Sequence, residues 1–125
     1  MINHPRENVD FFINSYTKYQ KKLGVKSYSQ LKKDTVSFLS YHQDMPFELL
    51  YLFKKDTCIY QEINIYCSPC AEQSIEAILK DKNYKFKAID GTNYLSQKDK
   101  TTILRISQNN KDTITCHKIT ARKIR

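Results

Sequence analysis

From the N-terminus to Lys55, apolar side chains recur at helical spacing. Val9, Phe12, Ile13, Tyr16, Tyr19 and Leu23 fall on one stripe, and Gly24-Val25 supplies a glycine stop followed by a hydrophobic residue. Ser27 and Gln30 have capping-box spacing for a second helix, on which Tyr28, Leu31, Thr35, Phe38, Leu39 and His42 share a face. Met45-Pro46 opens a third, shorter helix through Lys55, because proline suits a first turn. Beyond Asp56 the pattern changes. Thr57 to Tyr66 is rich in β-branched and aromatic residues, with Ile59, Ile63 and Ile65 on one face and Tyr60 and Tyr66 on the other. Cys70 to Lys82 reads as a helix with Ile75, Ile78 and Leu79 inward. Tyr84–Asp90, Asn93–Ser96, Thr101–Ser107 and Thr113–Thr120 read as strands, separated by Gly91, Gln97–Lys100 and Gln108–Asp112.

This order predicts one α+β domain over residues 1–125. A three-helix N-terminal half (about 7–55) packs on a mostly antiparallel sheet of about five strands with one internal helix (about 57–120), followed by a basic tail at 121–125. No internal repeat or linker stands out. Tyr16 to Thr35 places a glycine turn between two predicted helices, and a helical hairpin fits it better than a DNA-binding helix-turn-helix. Gln20, Gln30 and Lys33 stand where that motif needs small or apolar residues. The chain has only two glycines, too few for the phosphate-cradling loops of nucleotide-binding motifs.

Charge changes the picture next. Lys and Arg total 21 against 13 Asp and Glu, a formal net charge of +8. Such a field favours a polyanionic partner, nucleic acid first and an anionic membrane surface or acidic protein second. Arginine occurs only at positions 6, 105, 122 and 125, so contacts to the phosphate backbone are expected to outweigh bidentate base reading. No apolar run approaches the ~20 residues of a membrane span, and MINHPRENVD carries no secretory pattern, so a cytoplasmic location with mostly reduced thiols is expected. The richness in Lys, Asn, Ile and Tyr suggests an AT-rich coding genome, such as that of a phage or mobile element.

Two clusters carry candidate chemistry. Lys85, Lys87, Arg105, Lys118, Arg122, Lys123 and Arg125 are the expected phosphate contacts, and Tyr60, Tyr66, Tyr84 and Tyr94 the expected stacking groups, placed among the strands of the sheet half. A ribonuclease variant of the same sheet would use His117 as proton shuttle, with Arg105 and Lys118 on the phosphate. The second cluster is Cys67-Ser68-Pro69-Cys70, where a strand meets a helix whose N-terminus lowers thiol pKa. Ala77 to Asp90, after this dithiol, resembles the helix end and second strand of a glutaredoxin. The resemblance covers residues 63–90 and implies a thiol-disulfide oxidoreductase with Cys67 attacking and Cys70 resolving. A metal site would need further ligands from Cys58, Cys116, His117, His42 and His4. Neighbours on a strand point to opposite faces, so Cys116 and His117 cannot both ligate; a site of Cys67, Cys70 and one of the two is geometrically open, but buried structural thiols are favoured and no metal or cofactor is expected. The leading expectation is a basic nucleic-acid-binding protein without catalytic activity of its own. A protein-binding inhibitor, docked through the helical half, is the alternative from the interaction class.

Overall fold

The computed structural model describes residues 2–42, 45–111 and 114–124. Its elements run α1 (Arg6–Lys22), β1 (Lys26–Leu31), β2 (Thr35–His42), β3 (Met45–Lys54), β4 (Thr57–Ile65), α2 (Ser68–Leu79), β5 (Phe86–Ala88), β6 (Asn93–Ser96), β7 (Thr102–Lys111) and β8 (Ile114–Lys123). All eight strands form one antiparallel sheet in the order β1-β2-β3-β4-β8-β7-β6-β5. A helix followed by a four-strand meander therefore occurs twice, and β4 pairs with β8 to join the halves at the middle of the sheet. The repetition is topological and has no counterpart in the residue pattern.

The α+β class is right in outline, but the three-helix half is not. Of the three predicted N-terminal helices, only α1 forms. Residues 26–54 are instead β1, β2 and β3. The reason lies in burial on both faces. Val36, Phe38 and Ser40 of β2 point toward the helices, while Leu39 between them is itself half-buried on the other face. In β3, Phe47, Leu49, Tyr51 and Phe53 face the helices, and Leu50 and Leu52 lie half-buried opposite. A strand with apolar residues on both faces loses its period-two signature, and short apolar runs then imitate a helix face. The proposed helical hairpin at Tyr16–Thr35 is accordingly a helix followed by an edge strand. The basic tail is not a tail either, since residues 121–123 belong to β8 and Ile124 N–H bonds the Thr101 carbonyl at 2.6 Å.

Among the remaining elements α2, β4 and β6 lie near their expected places, whereas β5 shrinks to Phe86–Ala88 and β7 runs on through Lys111, so that Gln108–Lys111, expected in a turn, pairs with β8. At the end of α1, Val25 N–H bonds the Gln20 carbonyl and Gly24 N–H the Lys21 carbonyl, with Gly24 at φ 72°; this is a complete glycine-terminated helix stop. β4 carries a bulge at Ile59: Phe53 pairs with Cys58 but Leu52 with Tyr60. The bulge places Cys58 in the core beside Phe53 while Ile63 and Ile65 keep facing the helices. The glutaredoxin-like arrangement does not extend to the sheet. In place of a parallel return beside β4, the chain leaves α2 and enters β5 at the opposite edge of the sheet.

Both helices cover the same face. α1 lies over β1 and β2, burying Val9 and Ile13 against Val36, Phe38, Tyr51 and Phe53; α2 lies over β4 and β8, burying Ala71 against Ile65, Leu104 and Ile119. Phe47, Ile63 and Ala121 touch both cores and make them continuous. Inside the first core, Gln20 and Ser40 satisfy one another by a buried hydrogen bond. Among the described residues no helix covers the opposite face of the sheet. None is long and apolar enough to cross a membrane.

Candidate nucleic-acid interface

The uncovered face is where the expected cations meet. Arg105 on β7 pairs with Thr120 on β8, and Lys118 and Arg122 flank Thr120 two residues to either side, on the same face. Diagonal neighbours of this kind are separated by about 7–8 Å between their backbones, within easy reach of one phosphate or of two successive ones. The three cations line a shallow hollow of about 430 Å³ with Tyr60, Asn93, Ile103, Ser107 and Thr120. Lys87 stands further out on the same face, opposite Leu95.

Acidic groups set the limits of this patch. Lys118 Nζ lies 3.9 Å from Glu62 on β4. Burial acts to raise the Glu62 pKa, but hydrogen bonds from Tyr60 and Asn64 and the Lys118 charge outweigh it and hold the carboxyl below its ordinary value. Tyr60 in turn is pushed up to about 12 by burial and by donating to Glu62. Tyr66 donates to Glu48 at 3.2 Å and is likewise raised to about 12, by burial and by the neighbouring Cys116 and Glu48. Arg105 and Arg122 form no ion pair with a described carboxylate, so they are the cations of the hollow that carry uncompensated charge.

Other expected contacts are distributed differently. Lys123 points to the helix-covered side, where Nζ bonds Asp99 at 2.9 Å and Thr101. Lys85 lies in the loop before β5 with φ 49°. Arg125 lies outside the described residues. Of the four tyrosines, Tyr60 and Tyr66 are on the open face. Tyr84 stacks on Phe86, with ring centroids 5.3 Å apart, and donates to the Ile2 carbonyl; Tyr94 packs in the α2 core.

The fold also gathers cations that no sequence window shows together. Hydrogen bonds tie the N-terminal segment, the β1–β2 and β3–β4 turns, and the loops before β5 and after β6 into one end of the sheet. Lys32, Lys33, Lys54, Lys55, Lys82, Lys85, Lys98 and Lys100 are all exposed there, alongside Asp34, Asp56, Asp81, Asp99 and the Glu7 and Asp10 carboxylates at the start of α1. These lysines are far apart in sequence, and helices at 27–55 would have scattered them.

The ribonuclease trio does not converge. His117 pairs with Ile65 and faces the helices, where its Nε2 is hydrogen-bonded to Ser68 Oγ at 3.0 Å, while Arg105 and Lys118 are on the other side of the sheet. Cys116, next along β8, is on the open face with Sγ 3.8 Å from Asn64 Oδ1. No cluster of three metal-ligating side chains occurs among the described residues; His4 bonds Asn8 on the surface, and the His42 side chain lies outside them. Cys67 and Cys70 are joined by a disulfide, against the expectation of mostly reduced cysteines, whereas Cys58 and Cys116 are not bridged. Comparison with protein-family models, with curated proteins and with solved structures finds no match to this chain.

Proposed function

We propose that the protein binds nucleic acid through phosphate contacts on the uncovered face of its sheet. The observation that carries this reading is the juxtaposition of Arg105, Lys118 and Arg122 around one hollow on that face. The basic end of the sheet adjoins the hollow at Arg122 and extends the positive field beyond it, which favours a long polyanion over a single phosphate group. Tyr60 and Tyr66 hydroxyls are engaged by carboxylates, so their rings are held in place and the tyrosines contribute less than the cations. Arginines at the centre and lysines at the margin fit backbone tracking with little base selectivity.

Amide chemical-shift mapping with a short oligonucleotide tests the assignment to a face. The reading expects the largest shifts on β7 and β8 around Arg105, Lys118 and Arg122, with α1 and α2 unmoved. Shifts confined to the helix-covered side would refute it.

A further inference from the structure

We infer that Cys67–Cys70 is a redox-active disulfide that takes two electrons from a dithiol peptide whose apolar side chains occupy the cleft between α1 and α2. This activity is separate from the nucleic-acid reading, since the cleft opens on the other side of the sheet.

The placement of the disulfide carries the inference. Cys67 caps the N-terminus of α2, and Cys70 lies in the helix's first turn with its backbone N–H donating to Cys67 Sγ at 3.3 Å. Both cysteines line a cleft of about 590 Å³, whose other walls are largely apolar: Tyr16 and Tyr19 from α1, Leu23 just past its end, and Phe47 and Ile65 from the sheet. Whatever fills this cleft is held against the sulfur atoms. A brace is a weak alternative. A bridge between residues three apart closes the shortest of loops and restrains little of the unfolded chain. The start of α2 is secured without it, by Pro69 in the first turn and by Ala71 N–H bonding the Cys67 carbonyl at 2.9 Å.

Cys70 is the more exposed of the two. A substrate thiolate attacks Cys70 Sγ; a new sulfur–sulfur bond forms, the Cys67–Cys70 bond breaks, and its electron pair leaves on Cys67. The leaving thiolate accepts the Cys70 N–H and faces the positive end of α2, which favours its departure. The second substrate thiolate then attacks the substrate sulfur in the mixed disulfide and releases Cys70. The peptide becomes a disulfide, Cys67 and Cys70 become thiols, and the two protons lost by the peptide are taken up by these cysteines. The dithiol peptide is itself the reductant, so no other reactant enters the step.

The test uses two synthetic peptides, each with a pair of cysteines, flanked by phenylalanine in one and by serine in the other. The oxidised protein is mixed with each, thiols at Cys67 and Cys70 are counted by alkylation and mass spectrometry, and circular dichroism follows the fold. The expected result is reduction with the fold intact, about ten-fold faster with the phenylalanine peptide. That preference shrinks in Tyr19→Ser and Leu23→Ser proteins, where both changes fall on exposed residues. Cys67→Ser protein mixed with a one-cysteine phenylalanine peptide, supplied as its mixed disulfide with thionitrobenzoate, should expel thionitrobenzoate and retain a peptide adduct on Cys70. A disulfide that stays oxidised until the protein unfolds, or equal rates for the two peptides, would overturn the inference.

Discussion

Asp99 shows how one residue removes a cation from the interface and gives it to the fold. Its carboxylate accepts from Thr101, Thr102 and Lys123, and from Asn3 at 2.6 Å, so it clasps the N-terminal segment, the loop after β6 and the end of β8 together. The Thr101 hydroxyl is the main influence holding the carboxyl well below the usual carboxylate range; burial opposes it, and Lys123 and Thr102 add to it. A carboxyl whose pKa is lower folded than unfolded stabilises the fold fully above its unfolded value, about 3.9, and loses that contribution as the pH falls toward the folded value. Asp99→Ala should therefore cost about 1–3 kcal/mol at pH 7, measured by urea titration, and the gap from wild type should narrow as the pH falls below about 4. Lys123→Ala should lower stability by a smaller amount and leave oligonucleotide affinity far less changed than Arg122→Ala does. The sequence alone placed Lys123 with the phosphate contacts, because a run of basic residues at a chain end looks the same whether its lysines face solvent or an aspartate 24 positions away.

At the scale of elements, β2 and β3 decide the fold. Phe38 is buried in the core under α1, and Leu39 is half-buried on the open face. Phe38→Ala should cost about 3–5 kcal/mol, whereas Leu39→Ala should cost about 1 kcal/mol or less, because only part of its ~0.8 kcal/mol per methylene is realised at a half-exposed site. On the face of one helix the two would be comparable, so thermal unfolding of both variants checks the strand assignment directly.

What was legible at this scale depended on local chemistry. α1 showed itself through a stripe and a glycine stop, and α2, β4, β6 and β8 through composition and turn residues. The β3–β4 hairpin did not, since its turn is Lys55-Asp56, both at positive φ (51° and 59°), where the usual signal would be Asn-Gly. Without that signal, and with apolar residues on both faces of β3, nothing local marks 46–54 as a strand. Only its long-range pairing with β2 and β4 does. The dithiol at the start of α2 was visible as a motif. The cleft beside it was not, because Pro46, Phe47 and Leu49 of its wall come from β3, in a region that read as helix.

At the scale of the whole molecule, the sheet separates two surfaces. One carries helices, a disulfide and an apolar cleft; the other carries Arg105 and Arg122. This separation divides residues that are adjacent in sequence, such as His117 and Lys118, and unites residues that are distant, such as Arg105 and Arg122. It is also why a ribonuclease reading built on neighbouring His and Lys has no common site. The net charge of +8 was evident from composition, but the grouping of Arg105, Lys118 and Arg122 around one hollow is a property of the topology.

On the proposed reading, Arg105 and Arg122 hold nucleic acid by its phosphates. Fluorescence anisotropy of labelled single-stranded and duplex oligonucleotides, repeated across a range of salt concentrations, tests it most directly. Wild-type binding should weaken steeply with salt. The double variant Arg105→Ala/Arg122→Ala should bind about ten-fold or more weakly at low salt, with a salt slope smaller by about two. No binding at low salt, or a double variant that binds with the wild-type slope, would contradict the account.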